Sequence, residues 1–206
     1  MFFVFGTKFL GGVKSYNNQE IQTKFFHFCF MPLFPVEGDS LLVTESGWGT
    51  RKGIYLKQNS TSIKAGYGRM WMLAVTALAF IFWQMNQSIF YLILALALGA
   101  FTVYLFLSYG TSTQAENEER ELIGSLTGVY ALAEWLPDEM CDTLFNRMRA
   151  AYQAEGRNWQ EDIRSGNVLN AKVAYVLALL HYAYMPGEEL WELRMKAAEL
   201  YAASLN

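Results

Sequence analysis

The sequence predicts a membrane protein of the α+β class, with a small N-terminal β domain, a two-helix transmembrane hairpin and a C-terminal all-α domain of stacked helix pairs. The central observation is that no charged residue occurs from Met70 to Tyr109. The segment before it alternates β-prone runs with turn residues, and the segment after it has helical spacing of apolar residues. The predicted domain boundaries are 1–68, 69–110 and 111–206.

The N-terminal segment contains β-prone runs separated by residues that favour turns. These runs flank Gly11-Gly12, cover Ile21–Met31 after a turn at 16–18, and form a hairpin of 40–45 with 51–57 around a loop at 46–49. Pro32 and Pro35 have no amide hydrogen, so strand pairing is expected to end at about Met31. Asn59 or Ser60 is expected to cap a short helix over Ser62–Gly66 that leads into the first span.

The uncharged segment divides into two predicted spans, 70–85 and 89–109, at the polar residues 86–88. The first span has 16 residues, or about 24 Å of helix. The second has 21 residues, enough for a hydrocarbon layer of about 30 Å. Ala95 and Gly99 are four residues apart and would let the two helices approach closely. Two buried helices of a soluble protein are the alternative, although such helices rarely lack charge over this length.

The charges around the spans predict their orientation. Five bases lie in residues 51–69, directly before the first span, and none lies at the polar break: Arg51, Lys52, Lys57, Lys64 and Arg69. The positive-inside bias therefore places both termini on the cytoplasmic side of the inner membrane. The opening MFFVFGTKFL lacks the basic start of a secretory signal. In the reducing cytoplasm, a disulfide between Cys29 and Cys141 is not expected.

The C-terminal segment is acidic, with 15 Asp/Glu against 8 Lys/Arg in residues 111–206. Four helices are predicted, which run from the acidic residues near Glu116 to Trp135, from Pro137 to Glu155, over Val168–Tyr184 and over Glu188–Ser204. The apolar run 173–185 is too short for a third span and predicts a buried core helix. Residues 136–152 resemble 185–201, which suggests two stacked helical hairpins or a chance similarity of common helix formers.

A search for chemistry in the sequence finds one small cluster, His27 and Cys29, which would share one face of a strand. A structural zinc site needs more cysteines or histidines at short spacing, so neither a metal nor a cofactor is predicted. The cysteine lies among phenylalanines, which favours a buried thiol over a catalytic dyad. His181 is predicted to be a core or interface histidine. The N-terminal domain lacks a recognisable nucleic-acid module, so no nucleic-acid partner is predicted.

Two short motifs carry a resemblance to a known group of proteins. Phe5-Gly6-Thr7-Lys8, followed by FCFMPLFP over Phe28–Pro35, resembles small, functionally unassigned bacterial proteins with a zinc-ribbon-like N-terminal domain, some of them attached to membranes. In the metal-binding members, cysteine pairs flank the aromatic and proline-containing strand. The flanks here, SYNNQEIQTK and LLVTESGWGTRKG, contain no cysteine. The resemblance therefore implies a ribbon-like β fold without its metal, and it implies no catalytic residue.

These observations predict a non-catalytic assembly or adaptor subunit of a larger bacterial membrane complex. Its partners would be the lipid bilayer and other subunits, and self-association is an open alternative. Aromatic side chains dominate many protein interfaces, so Trp135, Trp191 and Tyr201 are candidate interface residues, with core packing as the alternative. Two other functions stay open: a thiol-dependent or redox-responsive membrane enzyme that uses Cys29 and His27, and a sensor of membrane state that uses the short first span.

Overall fold

A computed structural model describes residues 5–46 and 51–205 of the chain. The chain forms two compact units, Met1–Thr113 and Gln114–Asn206. The first unit combines an antiparallel sheet with two long helices, and the second is helical, so the predicted α+β class is confirmed. The sheet and the apolar helices belong to one unit because the first helix begins against the sheet and continues into the uncharged segment.

The sheet is a four-stranded antiparallel meander in the order β1-β2-β3-β4. Its strands are β1 (Phe5–Tyr16), β2 (Gln19–Phe28), β3 (Met31–Ser46) and β4 (Arg51–Leu56). Asn17 and Asn18 adopt left-handed backbone conformations between β1 and β2, as a two-residue hairpin turn requires. The predicted turn there is confirmed. The predicted loop at 46–49 falls mostly on residues outside the described ranges.

The expectation that strand pairing ends at Met31 is wrong. β3 begins at Met31 and continues through both prolines, with Pro32 opposite His27 and Pro35 opposite Phe25. The reason is the position of β4, which pairs with β3 only from Ser40 onward. The first half of β3 therefore has one open edge, where a residue without an amide hydrogen is tolerated. Register shifts on both sides of Phe25–Phe26 accommodate the prolines in the ladder.

The two apolar helices are α1 (Ser60–Asn86) and α2 (Ile89–Leu107). Asn59 caps α1, because its side-chain oxygen accepts a hydrogen bond from the Ser62 amide at 2.9 Å. The predicted short helix at 62–66 is the first part of α1 and has no break before the apolar segment. The predicted interruption at 86–88 is confirmed, since Gln87 adopts a left-handed conformation that ends α1.

The first part of α1 covers one face of the sheet. The largest fully buried side chains of the sheet include Ile21, Phe25, Leu42 and Leu56. A methyl group on Gly66 would lie 2.7 Å from the Phe25 ring, so the absence of a side chain on α1 allows this close approach. The sheet is therefore anchored to the base of the helix by packing.

The second unit contains five α-helices and a 3₁₀ turn at Ala133–Trp135 within the described residues. The helices are α3 (Gln114–Thr127), α4 (Asp138–Ala154), α5 (Trp159–Ser165), α6 (Ala171–Tyr184) and α7 (Glu188–Ser204). α6 contacts each of the other helices and is buried at Ala174 and from Val176 to Leu180. The prediction of a buried core helix in this segment is confirmed.

Three features of this unit differ from the sequence prediction. α3 ends at Thr127 and not near Trp135, because Gly128 takes a left-handed conformation and its amide bonds to the Gly124 carbonyl. α5 was not predicted, since seven residues are too few to show a helical period. The similar segments 136–152 and 185–201 form α4 and α7, but only α7 follows an apolar helix, because Tyr130-Ala131 precedes the 3₁₀ turn in a loop.

Candidate functional site

The outer surface of α1 and α2 is apolar and exposed. Both helices are long and apolar enough to cross a membrane. Large apolar side chains on them are exposed, among them Leu78, Phe82, Phe90, Ile93, Leu96 and Val103. Exposed apolar patches of this extent are uncommon on soluble monomers and indicate a membrane or protein interface.

The two helices contact each other through small and hydroxyl side chains. The hydroxyl groups of Thr76 and Thr102 lie 2.9 Å apart, one on each helix. Ala79 on α1 and Ala95 on α2 are buried. A methyl group on Gly99 would lie 3.8 Å from the methyl group of Thr76. Ala95 and Gly99, the predicted packing pair, therefore lie on the inner face of α2, in an arrangement typical of helices in membranes.

Arg69 in α1 joins the C-terminal end of α2 to the sheet. Its guanidinium donates hydrogen bonds to the carbonyls of Leu105 at 2.8 Å and Tyr109 at 3.1 Å, and to that of Gly12 in β1 at 2.6 Å. The carbonyls at the end of a helix have no partner within the helix, and a cation there also opposes the helix dipole. The sequence alone indicates only an orienting role for the charge of Arg69. Its position as the last base before the uncharged segment was the available signal for this structural role.

A buried set of hydroxyl groups connects the base of α1 to the sheet. The Ser62 hydroxyl accepts from Thr23 at 2.9 Å and donates to the Gly11 carbonyl at 2.9 Å. Ser40 lies 3.1 Å from the Thr23 hydroxyl and accepts from the Asn59 amide at 2.9 Å. Each hydroxyl has a defined partner, so the set explains the firm attachment of the sheet.

The tip of the β2–β3 hairpin contains the predicted histidine and cysteine. Cys29 and Phe30 form the two-residue turn, with φ values of 48° and 69°. Cys29 is exposed and His27 is buried, with its ring stacked on Phe30 at a centroid distance of 6.3 Å. The expectation of a strand that presents both side chains on one face is wrong, because β2 ends at Phe28. The expectation of a buried thiol at Cys29 is wrong for the same reason.

The three candidate interface residues of the second unit occupy different environments. Trp191 is exposed on α7. Its ring centroid lies 5.5 Å from that of Tyr182 and 5.5 Å from the guanidinium carbon of Arg194. Tyr201 is half-buried and stacked on Tyr175 at 5.7 Å. Trp135 is half-buried, and the buried Arg120 guanidinium lies 5.6 Å from its ring. Trp191 is therefore the most accessible of the three to a partner.

A cavity of about 230 Å³ is lined by Tyr182 and Arg194, the two residues that contact Trp191. Glu119, Glu134 and Arg194 contribute its charged groups, and Leu132, Leu179 and Tyr182 line it as well. Burial raises the pKa of Glu119, and the charge of Arg194 opposes that rise. The cavity combines residues that are far apart in the sequence, so no local pattern could have predicted it.

His181 belongs to an aromatic cluster in the core of the second unit. Its ring stacks on Phe145 at 4.5 Å and meets Trp159 edge-on at 5.6 Å. Burial, with a smaller contribution from the Arg149 charge, lowers the pKa of His181. These contacts confirm the predicted packing position of His181, but its buried Nδ1 has no hydrogen-bond partner among the described residues. Among the described residues, no group of three or more His, Cys, Asp or Glu side chains could hold a metal ion. Comparison of the chain with protein-family models, curated proteins and solved structures found no match.

Proposed function

We propose that the protein is a membrane-anchored, non-catalytic assembly or adaptor subunit of a larger bacterial membrane complex, with the sheet and the second unit in the cytoplasm. The observation that carries this proposal is the exposed apolar surface of α1 and α2, which continues from a sheet attached through Arg69 and the Ser62 hydroxyl. A helical pair without a charge over 40 residues suits the hydrocarbon layer. The anchor would hold the second unit at the membrane surface.

The adaptor role is supported by the surface of α7. Trp191 and Met195 are one helical turn apart and are 45% and 46% exposed, and Arg194 lies beside them. Tryptophan and arginine are enriched among residues that dominate binding energy, and Met adapts to varied partners. We infer that this surface, here called the α7 surface, contacts another subunit of the complex.

The thiol-dependent alternative has less support from the structure. It requires an imidazole that can take a proton from the thiol at Cys29. The structure places His27 in the buried part of β2 and Cys29 in the exposed turn beyond it. The sensor alternative requires the same membrane anchor formed by α1 and α2.

Affinity purification of the full chain from native membranes in a mild detergent tests the adaptor role. The wild type should recover a stoichiometric partner, and the double variant Trp191→Ala, Met195→Ala should lose it. Glu139→Ala on α4 is the control, since Glu139 is exposed and lies on a helix that does not form the α7 surface. Recovery of a monomer alone from wild-type membranes would contradict the proposal, and unchanged recovery by the double variant would contradict the assigned surface.

A further inference from the structure

The tip of the β2–β3 hairpin is an exposed aromatic surface that the anchor does not explain. Residues 25–36 contain no Asp, Glu, Lys or Arg. Four large apolar side chains of this tip are exposed, namely Phe28, Phe30, Leu33 and Phe34. Phe34 also stacks on Phe26 at 5.1 Å, so the aromatic surface is preformed. We call these four residues and Cys29 the aromatic tip.

The backbone conformation of this turn does not favour the residue types found in it. Both Cys29 and Phe30 are in the left-handed region, where asparagine and glycine are preferred and a bulky side chain costs energy. The turn between β1 and β2 has the preferred kind of residue, since it is formed by Asn17 and Asn18. The β2–β3 turn contains Phe30 despite this energetic cost, which indicates that its exposed ring makes a functional contact.

Hydrogen bonds fix the aromatic tip beside the start of the uncharged segment. The Tyr67 hydroxyl donates to the Leu33 carbonyl at 2.9 Å, and the Trp71 indole donates to the Pro32 carbonyl at 3.3 Å. Tyr67 and Trp71 are one turn apart on α1, where the last base, Arg69, gives way to apolar residues. Tyrosine and tryptophan favour the interface between headgroups and acyl chains.

The direction of the strands shows which end of the sheet faces the apolar segment. Along α1, Ser62 contacts Thr23 and Tyr67 then contacts Phe25, so β2 runs in the same direction as α1. Along β3, Ser40 lies near Asn59, whereas Pro32 lies at Trp71. The turn at Cys29 and Phe30 extends about two more residues, or roughly 7 Å, past Pro32. The aromatic tip therefore points along α1 toward the segment that would enter the membrane.

We propose that the aromatic tip inserts into the lipid interface beside α1 and forms a third membrane contact of the first unit. This inference rests on the proposed membrane anchor. The occupant is the bilayer because the tip is uncharged, continues the apolar surface of α1 and is held at its aromatic boundary. Insertion would fix the depth and rotation of the sheet relative to the membrane, which two helices alone leave adjustable.

Cys29 provides a native probe position for the test. The full chain is reconstituted into phosphatidylcholine and phosphatidylglycerol vesicles, and Cys29 is labelled with a polarity-sensitive fluorophore. Cys141 is buried and its thiol donates to the Ala133 carbonyl at 3.3 Å, so it should not react with the fluorophore. A Cys29→Ser sample, in which Cys141 is the remaining thiol, checks that only Cys29 is labelled. We expect a blue-shifted emission that is quenched by nitroxide-bearing lipids and protected from aqueous iodide. Quenching by iodide without quenching by lipid nitroxides would overturn the inference.

Three further variants make the result specific. Ser15→Cys in a Cys29→Ser background places the probe at the end of the β1–β2 hairpin that is farthest from the aromatic tip. Because this end faces away from the proposed membrane, aqueous iodide should quench the probe there. Leu96→Cys in the same background probes the exposed face of α2. Lipid quenching at Leu96 without lipid quenching at Cys29 would overturn only the tip inference, whereas loss of both would overturn the membrane anchor. Phe30→Ser with Phe34→Ser should transfer the Cys29 probe to water, and a probe that stays protected would contradict the role of these rings.

Discussion

Adjacent glycines in β1 make different demands on the first unit. Gly11 has a φ of 72°, and a side chain there would overlap the Ser62 carbonyl and lie 2.8 Å from the Gly66 amide. The nearest atoms to a side chain on Gly12 would be those of the Glu20 carboxylate, at 2.6 Å, which can move aside. Gly11 is therefore required for the contact between the sheet and α1.

We expect Gly11→Ala to destabilise the first unit by about 3 kcal/mol or more, because backbone strain and a backbone clash combine. Gly12→Ala is the matched control and should cost about 1 kcal/mol or less. Thermal unfolding of the full chain in detergent, followed by protease resistance of the sheet, measures the difference. Equal losses for the two variants would show that the sheet does not seat on α1 in this way.

The lowered pKa of His181 predicts a pH dependence of the second unit. The folded unit disfavours the protonated imidazole more than the unfolded chain does, since burial and the Arg149 charge both oppose protonation. This contribution to stability is complete above the unfolded pKa of about 6.5 and is lost as the pH falls from there toward the folded pKa. The wild type should therefore lose stability in mild acid.

His181→Phe should remove this dependence while keeping a ring against Phe145 and Trp159. Denaturant unfolding of both proteins at pH 7, 6 and 5, followed by tryptophan fluorescence, gives the difference in unfolding free energy. The raised pKa of Glu119 acts in the opposite direction, but it is common to both proteins and cancels in the comparison. Parallel pH profiles would show that His181 has no such role.

At the scale of elements, the contact between α1 and α2 depends on which alanine is enlarged. Ala95 is buried and faces α1, whereas Ala97 is exposed on the same helix. We expect Ala95→Leu to separate the helices and cost about 1–3 kcal/mol. Ala97→Leu adds the same atoms on the outer face and should change stability by about 0.5 kcal/mol or less.

Unfolding of the purified chain in mixed micelles, with increasing SDS, compares these two variants with the wild type. Thr76→Val is a useful third variant, since it removes the hydroxyl contact with Thr102 and keeps the shape of the side chain. Hydrogen bonds between helices in membranes contribute about 0.6–2 kcal/mol. A larger loss for Ala97→Leu than for Ala95→Leu would mean that the helices use another contact face.

The elements differ in how well the sequence predicts them. The N-termini of α1, α4 and α7 follow the local signals Asn59, Pro137 and Pro186-Gly187. Such signals act within one turn of helix. The course of β3 through Pro32 and Pro35 could not be predicted locally. It depends on where β4 ends, and strand pairing is a contact between distant residues.

At the scale of the whole molecule, the proposed topology predicts which residues can be labelled from each side of the membrane. A cell-impermeant maleimide should label Asn86→Cys, between α1 and α2, in intact cells that carry Cys29→Ser. It should leave Ser15→Cys unlabelled until the cells are permeabilised, because the sheet lies on the side of the orienting bases. Labelling of Ser15→Cys in intact cells would show that the orientation is reversed.

The sequence by itself determined the uncharged segment, its polar interruption and the change from β-prone to helical spacing, because these depend on solvent preference and local periodicity. Only the tertiary structure decided what the ends of these segments contact. Arg69 holds carbonyls from α2 and β1, Cys29 stands exposed in a turn, and the aromatic tip lies at Trp71. Each of these contacts joins residues distant in the chain, so it depends on how the strands and helices are brought together.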